Sequence, residues 1–313
     1  MILSNGGSLT AKCANRILLV TLILSIGLQY ILAFFGHVEV LDLLLSTQLT
    51  ILLIPIVTTV LFSFDPVKEL RIRPIRLKML IFAILAVICA YPIISLLNLI
   101  SMLFVENAVA EMSIDIYQRG YLFSMLVMAV LPAVGEELLM RGIVYNGYRK
   151  VSPVAAWILS AVLFGLYHMN FNQMPYAIFL GLLFVLMLEA GDSILTTMIM
   201  HFTINGLSTT VGYFSTLSGG TEVMDTAVST RDILMMIPSV LIMAVVMTPI
   251  LILVIWAAFH INGRHLKDVF KKQASDPYEV NGPEIVEKDH IISVCFILAA
   301  GIMIVMTLLN TFA

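Results

Sequence analysis

Residues 121–148 read YLFSMLVMAVLPAVGEELLMRGIVYNGY, an apolar run long enough to cross the ~30 Å hydrocarbon core of a bilayer as a helix. Three charged residues, Glu136, Glu137 and Arg141, interrupt this run. A charge at bilayer depth costs several kcal/mol, so such residues usually face a protein interior or a water-filled cavity and mark a functional site. The stretch therefore predicts a transmembrane helix that carries part of a functional site.

The composition places this helix in a polytopic membrane protein. The chain has 313 residues, of which 60% are hydrophobic and 12% are charged, and its mean hydropathy is +1.02. These values exclude a soluble globule. The net charge of -3, with Lys and Arg scattered along the chain, excludes a nucleic-acid partner, which requires a concentrated basic face. The three cysteines lie far apart and predict neither a disulfide framework nor a CxxC metal site.

Nine apolar stretches predict an all-α fold, a polytopic transmembrane helical bundle of eight to nine spans. The fifth and sixth stretches are short, so the number of spans is given as eight to nine. We predict a single integral membrane domain over residues 1–313. The nine stretches are residues 16–35, 41–64, 77–104, 121–148, 154–169, 174–189, 193–214, 233–260 and 291–312.

The distribution of Lys and Arg predicts the orientation of the bundle. Basic residues cluster before the first span and after the second, fourth and eighth spans, and all of these positions are cytoplasmic if the N-terminus is cytoplasmic. Only Arg119 and Arg231 fall in loops on the opposite side. Residues 262–290 are then a cytoplasmic loop. A short chain with few soluble segments favours a bacterial cell membrane.

Polar groups on two further spans are predicted to meet the charges of the fourth. His168 ends the fifth span, while His201 and Asn205 lie inside the seventh. At ~1.5 Å rise per residue from the predicted cytoplasmic ends, Glu136 lies ~20 Å deep, His168 ~21 Å and His201 ~12 Å. The three helices therefore bring these groups to overlapping levels of the membrane.

Helical spacing divides the roles of the two glutamates. Glu137 and Arg141 are four residues apart and can pair on one face, whereas Glu136 points roughly 100° away. This arrangement predicts a fixed ion pair beside a free base. His201 and Asn205 are also four apart and share a face. A carboxylate, two imidazoles and an amide are groups that activate water and stabilise an oxyanion.

The three motifs resemble those of the CPBP intramembrane proteases, the group that includes the type II CAAX prenyl endopeptidases and bacteriocin-processing or immunity proteins. EELLMR at 136–141 matches the family's EExxxR motif, FGLYH at 164–168 matches FxxxH, and HFTIN at 201–205 matches HxxxN. The motifs occur in the family's order. The resemblance covers residues 121–214, which we interpret as a catalytic core of about four helices.

The resemblance implies a role for each matched residue. Glu136 and His168 would activate a water that attacks a peptide carbonyl, and His201 and Asn205 would help to stabilise the oxyanion. Glu137 and Arg141 would orient the site. The implied partners are a peptide or lipid-modified protein substrate and the lipid bilayer.

A zinc ion is a second interpretation of the same side chains. Glu136, His168 and His201 offer the nitrogen and oxygen ligands of a catalytic zinc site with water in the fourth position. The HExxH spacing of soluble zinc proteases is absent. Metal dependence therefore stays open at this stage.

Two other functions compete with an intramembrane endopeptidase. A non-catalytic immunity factor or membrane scaffold would use the same helices without hydrolysis, although the intact motif set argues against an inactive enzyme. A transporter would use the Glu, Arg and His side chains as a proton relay. The inverted repeats with broken helices that are typical of transporters are not evident.

Overall fold

The computed structural model describes residues 8–36, 39–218, 229–271 and 289–312, and within these ranges the protein consists of helices and the loops between them. A short 3-10 helix, Leu266–Phe270, follows the ninth helix. The ten helices are α1 Ala11–Phe35, α2 Val40–Leu61, α3 Leu77–Met102, α4 Ala108–Tyr117, α5 Tyr121–Arg149, α6 Pro153–Tyr167, α7 Met174–Gly191, α8 Ile194–Leu217, α9 Thr230–Ile261 and α10 Val294–Phe312.

The predicted all-α helical bundle is confirmed, and each of the nine predicted spans contains a helix. Seven described helices are long and apolar enough to cross a membrane: α1, α2, α3, α5, α7, α9 and α10. Of the two spans predicted to be short, α7 reaches 18 residues and α6 has 15. Helix α8 has 24 residues but falls outside the seven, because polar groups such as His201 and Asn205 lower its hydropathy. The helix α4 was not predicted.

Helix α5 positions the charged motif and is not a uniform α-helix. The α-helical segment Leu131–Glu137 lies between two π-helical segments, Leu126–Val130 and Leu138–Tyr145. Single π turns inside α-helices often occur at functional sites. The C-terminal half of α5 is buried, with α1, α2, α6 and α8 packed around it. The motif therefore sits inside the bundle and not on its lipid-facing surface.

One end of the bundle collects the basic clusters that the sequence placed on a single side. The start of α1, the α2–α3 loop, the end of α5, the α7–α8 turn and the end of α9 meet here, and we call this the basic end. Glu69 connects two of these segments, since its carboxylate accepts from the backbone N–H of Leu9 at 3.2 Å and from Lys150 at 2.6 Å. Within the predicted loop 262–290, residues 262–271 lie at this end, and residues 272–288 lie outside the described residues. The cytoplasmic location of this end stays a prediction.

Candidate active site

The pair predicted from the spacing of Glu137 and Arg141 is present and buried. Arg141 Nη1 donates to Glu137 Oε1 at 2.8 Å, and the two side chains are 1% and 0% exposed. The guanidinium carbon of Arg141 lies 4.2 Å from the ring centroid of Phe164 and 5.0 Å from that of Phe184. Two aromatic faces stabilise the cation by cation–π attraction. The guanidinium is thus held by one carboxylate and two rings.

His201 connects the ion pair to the second glutamate. Its Nδ1 lies 2.9 Å from Glu137 Oε1, while its Nε2 lies 3.9 Å from Glu136 Oε2. An ion-paired carboxylate accepts hydrogen bonds, so Nδ1 carries the proton of this contact. Glu137 therefore fixes the orientation of the His201 ring. The Nε2 atom is turned towards Glu136.

Glu136 has a different environment from its neighbour Glu137. Its side chain is 13% exposed, and in the described part of the chain no side chain donates a hydrogen bond to it at the distances found for Glu137. The phenol groups of Tyr167 and Tyr176 lie within electrostatic range. Glu136 is thus a carboxylate at a polar, largely enclosed position whose oxygens are available to another molecule.

His168 is oriented by its own helix. Its Nδ1 lies 2.8 Å from the backbone carbonyl oxygen of Phe164. A carbonyl oxygen only accepts, so Nδ1 donates and Nε2 of the neutral ring keeps its lone pair. The His168 and His201 rings contact the same Phe164 ring edge-on, with centroids 5.0 Å and 5.9 Å away. The Phe164 ring therefore contacts both imidazoles and the Arg141 guanidinium.

Asn205 lies one turn beyond His201 and joins α8 to α5. Its Nδ2 donates to the backbone carbonyl of Met128 at 3.2 Å, within the first π-helical segment of α5. One amide hydrogen is used in this contact, and the second has no acceptor among the residues that the structure describes. The bond holds the helix of His201 against the helix of the two glutamates.

A zinc site at Glu136, His168 and His201 would require their donor atoms to lie close together. In the ranges that the structure describes, no three His, Cys, Asp or Glu side chains lie close enough together to hold a metal ion. Glu136, His168 and His201 do not form a preassembled three-ligand site. Zinc dependence stays a prediction, and no chemical step below uses a metal.

The part of the chain that carries these residues matches a known family. Residues 118–207 match the family model described as Rce1-like, type II CAAX prenyl endopeptidase Rce1-like. This segment is similar to the type II CAAX prenyl endopeptidases. All six candidate site residues and all three motifs lie inside the match, so the resemblance found from the motifs is confirmed. The comparisons with curated proteins and with solved structures found no match.

The family and the fold together establish the general class of the protein. The seven membrane-length helices, together with the match to a membrane-protease family, indicate an integral membrane protein. The family match supports a CAAX-type intramembrane endopeptidase as the general activity. The matched segment spans the loop after α4, then α5, α6, α7 and the first half of α8.

Sequence reasoning missed one group of buried charges that supports the helices of the site. Glu189 is 3% exposed and pairs with Arg71 and with Arg149, the latter at 2.9 Å. Tyr145 donates to the same carboxylate at 3.0 Å. A glutamate at the end of an apolar helix requires a cationic partner. Its presence in the sequence therefore predicts an ion pair but does not identify the partner.

Proposed function

We propose that the protein hydrolyses a peptide bond of a membrane-associated or prenylated peptide or protein, with water activated by Glu136 and His168. The observation that carries this proposal is the division between two adjacent glutamates. Glu137 is held by Arg141 and His201, whereas Glu136 stands beside His201 Nε2 with its oxygens available. A structural ion pair and a free base are what the chemistry requires.

The first step is attack by water. A water between Glu136 and Nε2 of His168 gives one proton to the carboxylate as its oxygen bonds to the carbonyl carbon. The second O–H of the water stays intact and donates a hydrogen bond to the Nε2 lone pair of His168, which orients the water, because Nδ1 already donates to the Phe164 carbonyl.

The oxyanion and the leaving group complete the reaction. The second amide hydrogen of Asn205 is available to the developing oxyanion, and His201 donates through Nε2 when its ring carries both protons. Glu137 stabilises that doubly protonated ring by accepting from Nδ1. When the tetrahedral intermediate collapses, the C–N bond breaks and Glu136 returns its proton to the leaving amine.

The experiment is cleavage of a panel of fluorogenic peptides, prenylated and unprenylated, by the purified full-length protein. Mass spectrometry of the products identifies the bond cut. His168→Ala is expected to lower the rate by about 100-fold, the loss that misplacing a reacting group by about 1 Å can cause. Glu39→Gln is the matched control, because Glu39 is an exposed acid that pairs with Arg119 away from the site. Its rate is expected to equal the wild-type rate.

The outcomes separate the proposal from the non-catalytic alternative. Cleavage restricted to prenylated peptides assigns the CAAX-type substrate, and cleavage of both sets widens the substrate to membrane-associated peptides. An equal rate in wild type and His168→Ala would overturn the proposed roles. No cleavage of any peptide by a folded sample would favour an immunity or scaffold protein.

A further inference from the structure

A basic pocket opens at the basic end of the bundle, apart from the candidate active site. Its volume is about 140 Å³, several times the roughly 30 Å³ that a water molecule occupies in the liquid. Arg149 on its wall is 13 residues beyond Glu136 on the same helix, a separation of ~20 Å at a helical rise of ~1.5 Å per residue. We call it the basic pocket, and its cationic lining residues are Lys68, Arg71, Arg73, Arg149, Lys150 and Arg264.

The carboxylates around the basic pocket do not balance its cations. Glu69 and Asp192 line it, and Glu189 lies behind it. Asp192 pairs with three arginines, Arg71, Arg73 and Arg264, so its charge is shared among them. With Lys68 left out of the count, five cationic lining side chains face these three carboxylates within the described residues. The excess positive charge is partly buried, where salt and water screen it less than at an open surface.

Arg149 supplies a hydrogen-bond donor that the protein itself does not use. Its side chain is 11% exposed, and Nη2 donates to Glu189 at 2.9 Å. Its buried Nε–H has no hydrogen-bond partner in the part of the chain that the structure describes. A buried donor without a partner is costly and rare in native proteins. Arg149 therefore has hydrogen-bonding capacity that its contact with Glu189 does not use.

The backbone around the basic pocket is held in place. Arg71 and Asp192 both have left-handed backbones, with φ of 57° and 52°. Their side chains pair at 2.6 Å, and the carbonyl of Arg71 accepts from the N–H of Ile194 at 3.0 Å. Non-glycine residues in this conformation concentrate at ligand sites because the surrounding contacts must enforce it. The arginines are therefore organised before any ligand binds.

We propose that the basic pocket binds a phosphate group, supplied by an anionic phospholipid headgroup or by free phosphate. Guanidinium groups match phosphate oxygens with pairs of charge-assisted hydrogen bonds. The pocket lies among interhelical loops at an end of a membrane bundle, which is the level of lipid headgroups, and basic pockets between membrane helices bind anionic headgroups. The bound phosphate joins the end of α5 to the start of α8, the two helices that carry Glu136 and His201.

The test measures the melting temperature of the full-length protein in a neutral detergent. Short-chain phosphatidylglycerol, short-chain phosphatidylcholine and inorganic phosphate are titrated separately. A saturable rise with phosphatidylglycerol and a weaker or absent rise with phosphatidylcholine assigns an anionic headgroup. A rise with inorganic phosphate at similar concentrations assigns free phosphate. Either response supports the phosphate site, and no saturable rise with any of the three would overturn it.

Two variants distinguish binding in the basic pocket from non-specific electrostatic attraction to the basic end. Arg149→Gln is expected to weaken binding about tenfold or more, the usual loss for a charge-assisted hydrogen bond. Arg16→Gln removes the same charge from the exposed start of α1 at the same end and is expected to bind as wild type. If Arg149→Gln does not fold, Arg264→Gln at the rim replaces it. Equal binding by wild type and the folded pocket variant would contradict the proposal.

Discussion

At the scale of single residues, two adjacent glutamates have opposite environments. Glu137 is fully buried and accepts from Arg141 and His201, whereas Glu136 is partly exposed and lies 3.9 Å from His201. Their positions differ by one residue on one helix, so the surrounding helices create the difference. Glu137 is held by its neighbours, whereas no side chain among the described residues holds Glu136 in the same way.

The first prediction compares the stability of two matched variants. Glu137→Gln leaves the buried Arg141 without a counter-charge and is expected to lower the free energy of unfolding by about 3–5 kcal/mol. Glu136→Gln removes no ion pair within hydrogen-bond distance and is expected to change it by less than about 1 kcal/mol. Melting temperatures of both variants in one detergent give the comparison. Equal destabilisation would show that the two carboxylates do not have separate roles.

Residue spacing predicted some of these contacts and could not predict others. The pairing of Glu137 with Arg141 follows from a separation of four on a helix. The contact between His201 and Glu137 joins residues 64 apart in the chain, and local periodicity contains no information on it. Phe184 could not be found either, because an aromatic residue in an apolar helix has no signal that distinguishes a cation–π partner from lipid-facing packing.

At the scale of helices, close packing fixes the helix that carries His168. Gly181 on α7 lies against Ala161 on α6, so that a Cβ at Gly181 would be 2.7 Å from the Ala161 Cα and 2.8 Å from its Cβ. Small residues let membrane helices approach in this way. The position of α6, and with it His168, depends on this contact.

The second prediction follows from that contact. Gly181→Ala is expected to force α6 and α7 apart and to lower the free energy of unfolding by about 1–3 kcal/mol. Gly301→Ala on α10 is the control, because no described atom lies within 4 Å of its Cβ and alanine favours a helix. Melting temperatures measured side by side test the pair. A Gly181→Ala variant as stable as Gly301→Ala would exclude tight α6–α7 packing.

The third prediction concerns the turn between α7 and α8. Burial raises the pKa of Asp192, but Arg71 and the other arginines outweigh it and hold that pKa below its ordinary value of 3.8. A lowered folded-state pKa gives stability that is present above the unfolded-state pKa and is lost as the pH falls through the folded-state value. The wild type is therefore expected to lose more stability than Asp192→Asn between about pH 5 and about pH 3. An equal fall in the melting temperatures of wild type and Asp192→Asn over that range would contradict this.

At the scale of the whole molecule, hydropathy predicted the bundle and its two ends. Nine apolar stretches became nine helices, and the basic clusters meet at one end, as the distribution of Lys and Arg indicated. The π-helical segments of α5 and the helix α4 were not predicted, since neither changes the hydropathy pattern. The Arg71, Glu189 and Asp192 contacts depend on how distant loops meet, so sequence could supply the charges but not their partners.

The central claim is that Glu136 is the base of a peptide hydrolase. The most direct measurement is the hydrolysis rate of a cleaved peptide by wild type and by Glu136→Gln, each shown to be folded by its melting temperature. We expect the variant to have the wild-type melting temperature. Its hydrolysis rate is expected to be lower by about 100-fold or more, as for loss of a general base. A folded Glu136→Gln protein that hydrolyses the peptide at the wild-type rate would contradict the account.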